Sequence, residues 1–344
     1  MLTSPSLAFT IFEKTQRKKY QLGATMSSQP AYPVLDRDST LAQLPPEHPV
    51  DAQDQISHIL STSSLNRLVV LDDDPTGTQT CHDISVLAVW DLETLVEEFK
   101  QDSPGFFILT NSRALPPYEA DKLIRQICTN VSQAAKATYQ TVDIVLRSDS
   151  TLRGHFPLEA DVAQSVFGET DAWVLAPFFY QGGRFTINDV HYVASGGQLQ
   201  PVGTTEFARD ATFGYKSSNL RDYVMEKAPG RFQPEQLHSI TIEDIRTGGP
   251  EGVCGKLVSL PRGGMVIVNA AAESDMHVFV AGMLLGMSCV SVLIIHSTML
   301  TRNKNSRGER KTLSLPHRRS ICIQPFRNPL QTTHHRQGAQ ALLP

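Results

Sequence analysis

A chain of 344 residues, 40% hydrophobic and 19% charged, has ample material for a buried core, which excludes a wholly disordered or fibrous protein. Its net charge of −4 excludes a nucleic-acid or membrane-surface bias over the whole length, but the charge is unevenly spread. Residues 297–344 carry nine Lys or Arg against Glu309 alone, which leaves the rest of the chain acidic and makes this end foreign to the main fold.

Residues 1–25 hold Lys14, Arg17, Lys18 and Lys19 with Glu13 as the one acid and no secretory apolar stretch, so they read as an unstructured extension. Residues 26–55, with Pro30, Pro33, Pro45 and Pro46 and no periodicity, read as a linker; 1–60 together form a disordered N-terminal arm. Strands are expected at 65–71 and 84–90. Asp91 then caps a helix to Lys100, with Leu92, Leu95, Val96 and Phe99 on one face. After a strand at 106–110, Pro116 and Pro117 open a helix over 118–137, where Ala120, Leu123, Ile124, Ile127, Cys128, Val131, Ala134 and Ala135 trace one stripe. A strand at 142–146, a helix at 157–167 and a strand at 173–176 follow. The Gly-rich stretch 182–200 reads as a loop excursion. A helix at 218–227, strands at 239–241 and 265–269, and a helix at 275–285 complete the pattern.

Strands alternating with helices predict an α/β fold, a largely parallel sheet flanked by helices in a Rossmann-like three-layer arrangement, over residues 61–287. Residues 288–344, basic and without period, predict a disordered tail. The uncharged run 278–295 sits at the lower limit for a membrane span. Gly282, Gly286, Ser288 and Ser291, and a helical pattern starting at Glu273, favour no membrane. Five scattered cysteines without a C-x-x-C pair support neither a disulfide framework nor a zinc site, and point to a reducing, cytoplasmic setting.

Asp72-Asp73-Asp74-Pro75-Thr76-Gly77-Thr78 follows the apolar run Leu68-Val69-Val70-Leu71. A central strand delivers its last side chains into the crevice where open α/β sheets bind ligands. Three carboxylates and a Thr-Gly turn there predict a polar ligand or metal site. Arg147-Ser148-Asp149-Ser150-Thr151-Leu152-Arg153-Gly154-His155 also follows a strand and precedes a helix, a combination suited to an anion. Thr110-Asn111-Ser112-Arg113 reads as a capping segment. Residues 181–186, Asp189 and His191 read as a flap, with His191 solvated. No P-loop, G-x-G-x-x-G, H-E-x-x-H or G-x-S-x-G motif occurs.

The pairing of DDDPTGTQT (72–80) with RSDSTLRGHFPLE (147–159) resembles the four-carbon acid sugar kinase family. The likeness extends through APFFYQGGRFTINDVHYV (176–193), PVGTTEFARDATFGYKSSNLRDYV (201–224), IEDIRTGGPE (242–251) and VIVNAAAESDM (266–276). It covers residues 64–286 and matches the family's N-terminal, sugar-acid-binding domain. The resemblance implies a second domain that binds ATP with Mg2+ and passes the γ-phosphoryl group to the terminal hydroxyl of threonate, erythronate or a 3-oxo-tetronate. It implies that one of Asp72, Asp73 and Asp74 orients or deprotonates that hydroxyl. Arg147 or Arg153, with Ser150 and Thr151, would hold the carboxylate, in a substrate cleft also lined by Thr76, Gly77, Asp149, His155 and Arg184. No metal ligand is assigned in this chain. A small sugar acid is the expected partner, with a homodimer as a further expectation and no nucleic acid. Beyond Met287 the sequence departs from the family's glycine-rich nucleotide domain. The chain is therefore expected to bind ATP and Mg2+ weakly at most and to transfer no phosphate alone. A non-catalytic sugar-acid-binding or regulatory subunit is the alternative.

Overall fold

The computed structural model describes residues 32–63, 65–77, 83–287 and 290–295. Strand β1 (Leu35–Asp36) leads into helices α1 (Arg37–Ala42) and α2 (Ala52–Thr62), capped by the carboxylates of Asp36 and Asp51, which accept from the Ser39 and Gln53 amides. The described part of the expected N-terminal arm is thus folded. Ala52 and Ile59 bury against the body, and Arg246 donates to the Pro45 carbonyl. Then come β2 (Arg67–Asp72), β3 (Ser85–Leu87), α3 (Leu92–Phe99), β4 (Gly105–Leu109), α4 (Pro117–Ala137), β5 (Val142–Arg147), α5 (Leu158–Phe167) and β6 (Ala172–Leu175). In α4 the expected stripe faces inward, with Leu123 at its edge.

Residues 182–200 are not a loop. They form β7 (Arg184–Ile187), β8 (Val190–Ser195) and β9 (Gln198–Pro201), an antiparallel meander whose outer edge pairs with β1. The chain continues through α6 (Leu220–Lys227), β10 (Leu237–Ile240), α7 (Ile242–Arg246), α8 (Gly249–Ser259), β11 (Gly264–Val268), α9 (Glu273–Gly286) and β12 (Val292–Ile295).

The main sheet runs β10-β11-β6-β12-β5-β2-β4-β3, and each neighbouring pair is parallel. Residues alternate between its faces as the pleat requires. Val69, Leu71, Phe106, Ile108, Ile144 and Leu146 pack against α3, α4, α5 and α6. Val70, Phe107, Val145, Val174, Val266 and Ile294 pack on the other side, against α7, α8, α9 and the meander. Apolar cover on both faces explains why the strands are hydrophobic runs.

The expected boundary at 287 falls one strand early. β12 lies between β6 and β5, at the centre of the sheet, with Leu293, Ile294 and Ile295 buried. The described part of the run 278–295 is therefore a helix end and a strand, and among the described residues no helix is long and apolar enough to cross a membrane. The rest of the expected tail, from 296, lies outside the described residues.

Candidate functional site

From β2 the chain moves outward to β3 and β4, then returns to β5 on the other flank of β2. This reversal is the switch point where open parallel sheets form a crevice at their carboxyl ends. Asp72, the last residue of β2, lies in register with Arg147, the last of β5, and with Leu109 at the end of β4. The two sequence-predicted polar loops and the segment after β4 therefore meet on one edge.

The three aspartates separate by depth. Asp72 is fully buried; Arg147 Nη1 reaches its Oδ1 at 3.3 Å, while Oδ2 has no hydrogen-bond partner among the described residues and lies against Gly77. Any Cβ at position 77 would overlap that carboxylate, so glycine is required by close approach. Burial pushes Asp72 up to about 7, with the Arg147 charge opposing and the Asp73 charge adding to the rise. Asp73, also buried, accepts from the Ser148 hydroxyl at 2.5 Å and lies 3.5 Å from Arg113; burial pushes it up to about 6 against the pull of Arg113. Asp74 sits at the rim. Burial pushes it up, but the Thr76 hydroxyl and amide together with Arg113 outweigh that and hold it below the usual carboxylate range.

Arg113 joins these groups. Its guanidinium lies 2.7 Å from Asp74, 3.5 Å from Asp73 and 3.7 Å from Asp149, so a residue read as part of a capping segment is the hub of the cluster. Asp149 takes Arg153 Nε at 2.5 Å and the Thr151 hydroxyl and amide, which overcome its burial and keep it ionised. Arg153 and Arg184 both stand over the Phe207 ring, 5.1 Å and 5.4 Å from its centroid. Arg184 Nη1 donates to the Gly182 carbonyl, and the Nε atoms of Arg184 and Arg147 are buried without a hydrogen-bond acceptor among the described residues.

The loop from Ser148 to His155 is held from behind. Consecutive carbonyls of Ser150, Thr151 and Leu152 accept from His191 Nε2 at 2.8 Å, the Tyr215 hydroxyl at 2.6 Å and the Tyr223 hydroxyl at 3.1 Å. These contacts stabilise the left-handed backbone of Leu152, unusual for a branched side chain (φ 66°). His191 is thus fully buried rather than solvated, with Thr186 on its other nitrogen. Asp189, the other expected flap residue, is fixed by Asn269 and Ser239.

Of the sequence-predicted residues, Asp72, Asp73, Asp74, Arg147, Asp149 and Arg153 come together in one ionic cluster, with Gly77 against Asp72 and Arg184 sharing Phe207 with Arg153. Ser150 is buried in the same loop, and Thr76 stays at the exposed rim. His155 turns away: its Nε2 lies 3.1 Å and 3.0 Å from the Ser112 and Leu115 carbonyls, which fixes a proton there, and burial lowers its basicity. Thr78 lies outside the described residues. Sequence reasoning missed Arg113, Phe207 and Glu159, a buried acid 2.5 Å from the Ser112 hydroxyl. The polar residues that follow the β4 strand were the available signal for Arg113.

The family model described as a sugar-binding N-terminal domain matches residues 68–300, about two thirds of the chain. Two crystal structures of a Bordetella bronchiseptica protein, described as a domain of unknown function (DUF1537) with bound citrate and a domain-swapped dimer, are each 20% identical to this chain. Their TM-scores are 0.50 and 0.52, with 69% of this chain and 56% and 54% of theirs covered, so this chain spans just over half their length. A Haemophilus influenzae protein, also described under DUF1537, is 16% identical with a TM-score of 0.46, over 67% of this chain and 54% of that one. No curated protein matches the chain. With the family model spanning the sheet from β2 to β12, the chain belongs to the four-carbon acid sugar kinase family, through that family's sugar-binding N-terminal domain.

Proposed function

We propose that this chain binds a four-carbon sugar acid in the switch-point cleft and presents its terminal hydroxyl for ATP-dependent phosphorylation. One observation carries the reading: two aspartates at a strand exit, displaced to about 7 and about 6, stand among four guanidiniums. A base poised near neutral pH suits removal of a hydroxyl proton, and the arginines suit a carboxylate. The substrate carboxylate is assigned to Arg153 and Arg184, which Phe207 holds side by side, with Ser150 assigned to the same end of the ligand. The hydroxyl is assigned to the carboxylate of Asp72 or Asp73, which orients it and takes its proton. The citrate in the Bordetella protein, a small hydroxy acid, agrees with a ligand of this class.

ATP with Mg2+ is the phosphoryl donor implied by the family. The described residues do not fit it: the cluster carboxylates face arginines, and no group of three or more His, Cys, Asp or Glu side chains among those residues suits a metal ion. In this reading the chain binds the acid without turning over ATP. Calorimetry with threonate, erythronate and a 3-oxo-tetronate, against a neutral four-carbon polyol, tests it. Binding of an acid but not of the polyol, weakened in R184M by about tenfold or more, is expected. Equal binding of acid and polyol refutes the assignment. A homodimer belongs to the same reading, by analogy with the Bordetella dimer, and sedimentation measures it.

A further inference from the structure

Glu159 lies in the first turn of α5 and plays no part in the mechanism above. It is buried beneath the cluster, and among the described residues it has no ion pair, whereas Asp72, Asp73, Asp74 and Asp149 each face a guanidinium. A buried carboxyl without a cation is stable only when neutral. Its environment agrees. Burial and the nearby Asp73 charge push it up to about 8, against the Ser112 hydroxyl and the Arg113 charge.

A neutral carboxyl needs an acceptor for its O–H, and the hydroxyls above it provide one. Ser112 Oγ is 2.5 Å from Glu159 Oε1 and 3.1 Å from Thr110 Oγ1, which lies 3.0 Å from the Asp72 carbonyl oxygen. With the proton in place every donation runs one way: Glu159 to Ser112, Ser112 to Thr110, and Thr110 to the main chain of Asp72. Ionisation turns the Ser112 hydroxyl back toward Glu159 and breaks the chain at its middle link. The same segment carries Arg113, and the Ser112 carbonyl is fixed by His155.

We propose that Glu159 is a positioning residue of the cleft, holding a proton and setting, through Ser112 and Thr110, the exits of β2 and β4 that carry Asp72, Asp73 and Arg113. This rests on the sugar-acid reading and adds a condition to it: anion binding requires a protonated Glu159. The titratable and charged groups facing Glu159 are Asp73 and Arg113 from the strand exits, Cys128 from α4 and His155 from its own loop. Above about pH 8 none of them competes as a source of the effect. Asp73 is already ionised, Cys128 is pushed up to about 12, and His155 stays neutral.

Calorimetric titration of the full chain with threonate from about pH 7 to about pH 9.5 tests this, and wild-type affinity should fall about tenfold per pH unit above about 8. In E159Q the amide still donates to Ser112 and cannot ionise, so affinity should stay level over the same range. S112A keeps the acid but cuts the chain, and should weaken binding about tenfold at about pH 7 while flattening the decline above about pH 8. A decline in E159Q equal to the wild type, or an S112A variant that binds normally, overturns the proposal. An infrared readout needs no ligand. A protonated-carboxyl C=O band that persists above the range in which Asp72 ionises (about 7) and disappears only above about pH 8 should be present in the wild type and lost in E159Q. If no sugar acid binds at any pH, the sugar-acid reading fails, while absence of that band overturns the role of Glu159 by itself.

Discussion

Replacing Arg113 with methionine keeps most of the side chain and removes the cation that joins Asp73, Asp74 and Asp149. Asp74 retains 31% exposure, so its pair contributes no more than about 1 kcal/mol. Asp73 is 2% exposed and cannot regain water, but it can take a proton. With Asp73 at about 6, protonating it at pH 7 costs about 1.4 kcal/mol, which caps the loss at this site. The folded-state value lies above the ordinary 3.8, so stability falls as pH rises from there to about 6 and then levels. R113M extends that fall, because loss of the cation raises Asp73 further. At about pH 5 Asp73 is protonated in both proteins and only the Asp74 share of about 1 kcal/mol separates them. At about pH 7 the deficit should reach about 2 kcal/mol, or roughly 4–8 °C in Tm, and it should grow by up to about 1.4 kcal/mol per further pH unit. Thermal melts at three pH values measure it. Equal destabilisation at both ends of the range would show that Arg113 acts by packing and refute the electrostatic account.

In D72N the buried charge is absent, so the stability difference should move toward the variant between about pH 4 and about 7 and level off above, read by urea denaturation. G77A drives a methyl into the Asp72 carboxylate and should cost about 1–3 kcal/mol in the same assay. I294D places an unpaired charge in the central strand and should cost more than about 4 kcal/mol; circular dichroism showing a normally folded I294D would contradict the position of β12.

The helices and most strands of the main sheet were legible because their apolar residues repeat at one period. The α4 stripe is the clearest case. β12 was not, since Val292–Ile295 is a short unbroken apolar run beside an apolar helix, and periodicity cannot separate the two. The meander was hidden by its glycines and by Thr186, which points inward to meet His191 and so blurs the alternation of β7. At the site, the Asp72 and Arg147 loops were legible as polar segments after apolar strands. Arg113 was not singled out because its neighbours arise from β4 lying beside β2, a pairing no local pattern encodes. Glu159 looks like any acid in a first helical turn, and only the segment packed above it shows that it is buried.

With Glu159 neutral, the cleft holds Asp72, Asp73, Asp74 and Asp149 against Arg113, Arg147, Arg153 and Arg184, so an arriving carboxylate must find donors not already committed to aspartates. Arg113 serves three carboxylates and offers little. Among the described residues Arg147 and Arg184 each keep a buried Nε without an acceptor. Arg147 is tied to Asp72, and an anion beside it would also face that carboxylate as it ionises near neutral pH. Among the described residues Arg184 donates to a carbonyl and to no carboxylate, and it stands beside Arg153 on Phe207, so an anion there meets two cations. The proposed orientation follows from this imbalance: the acid end settles against Arg153 and Arg184, and the rest of a four-carbon chain points toward Asp72 and Asp73, each of which keeps an oxygen without a hydrogen bond among the described residues, the acceptor a hydroxyl requires.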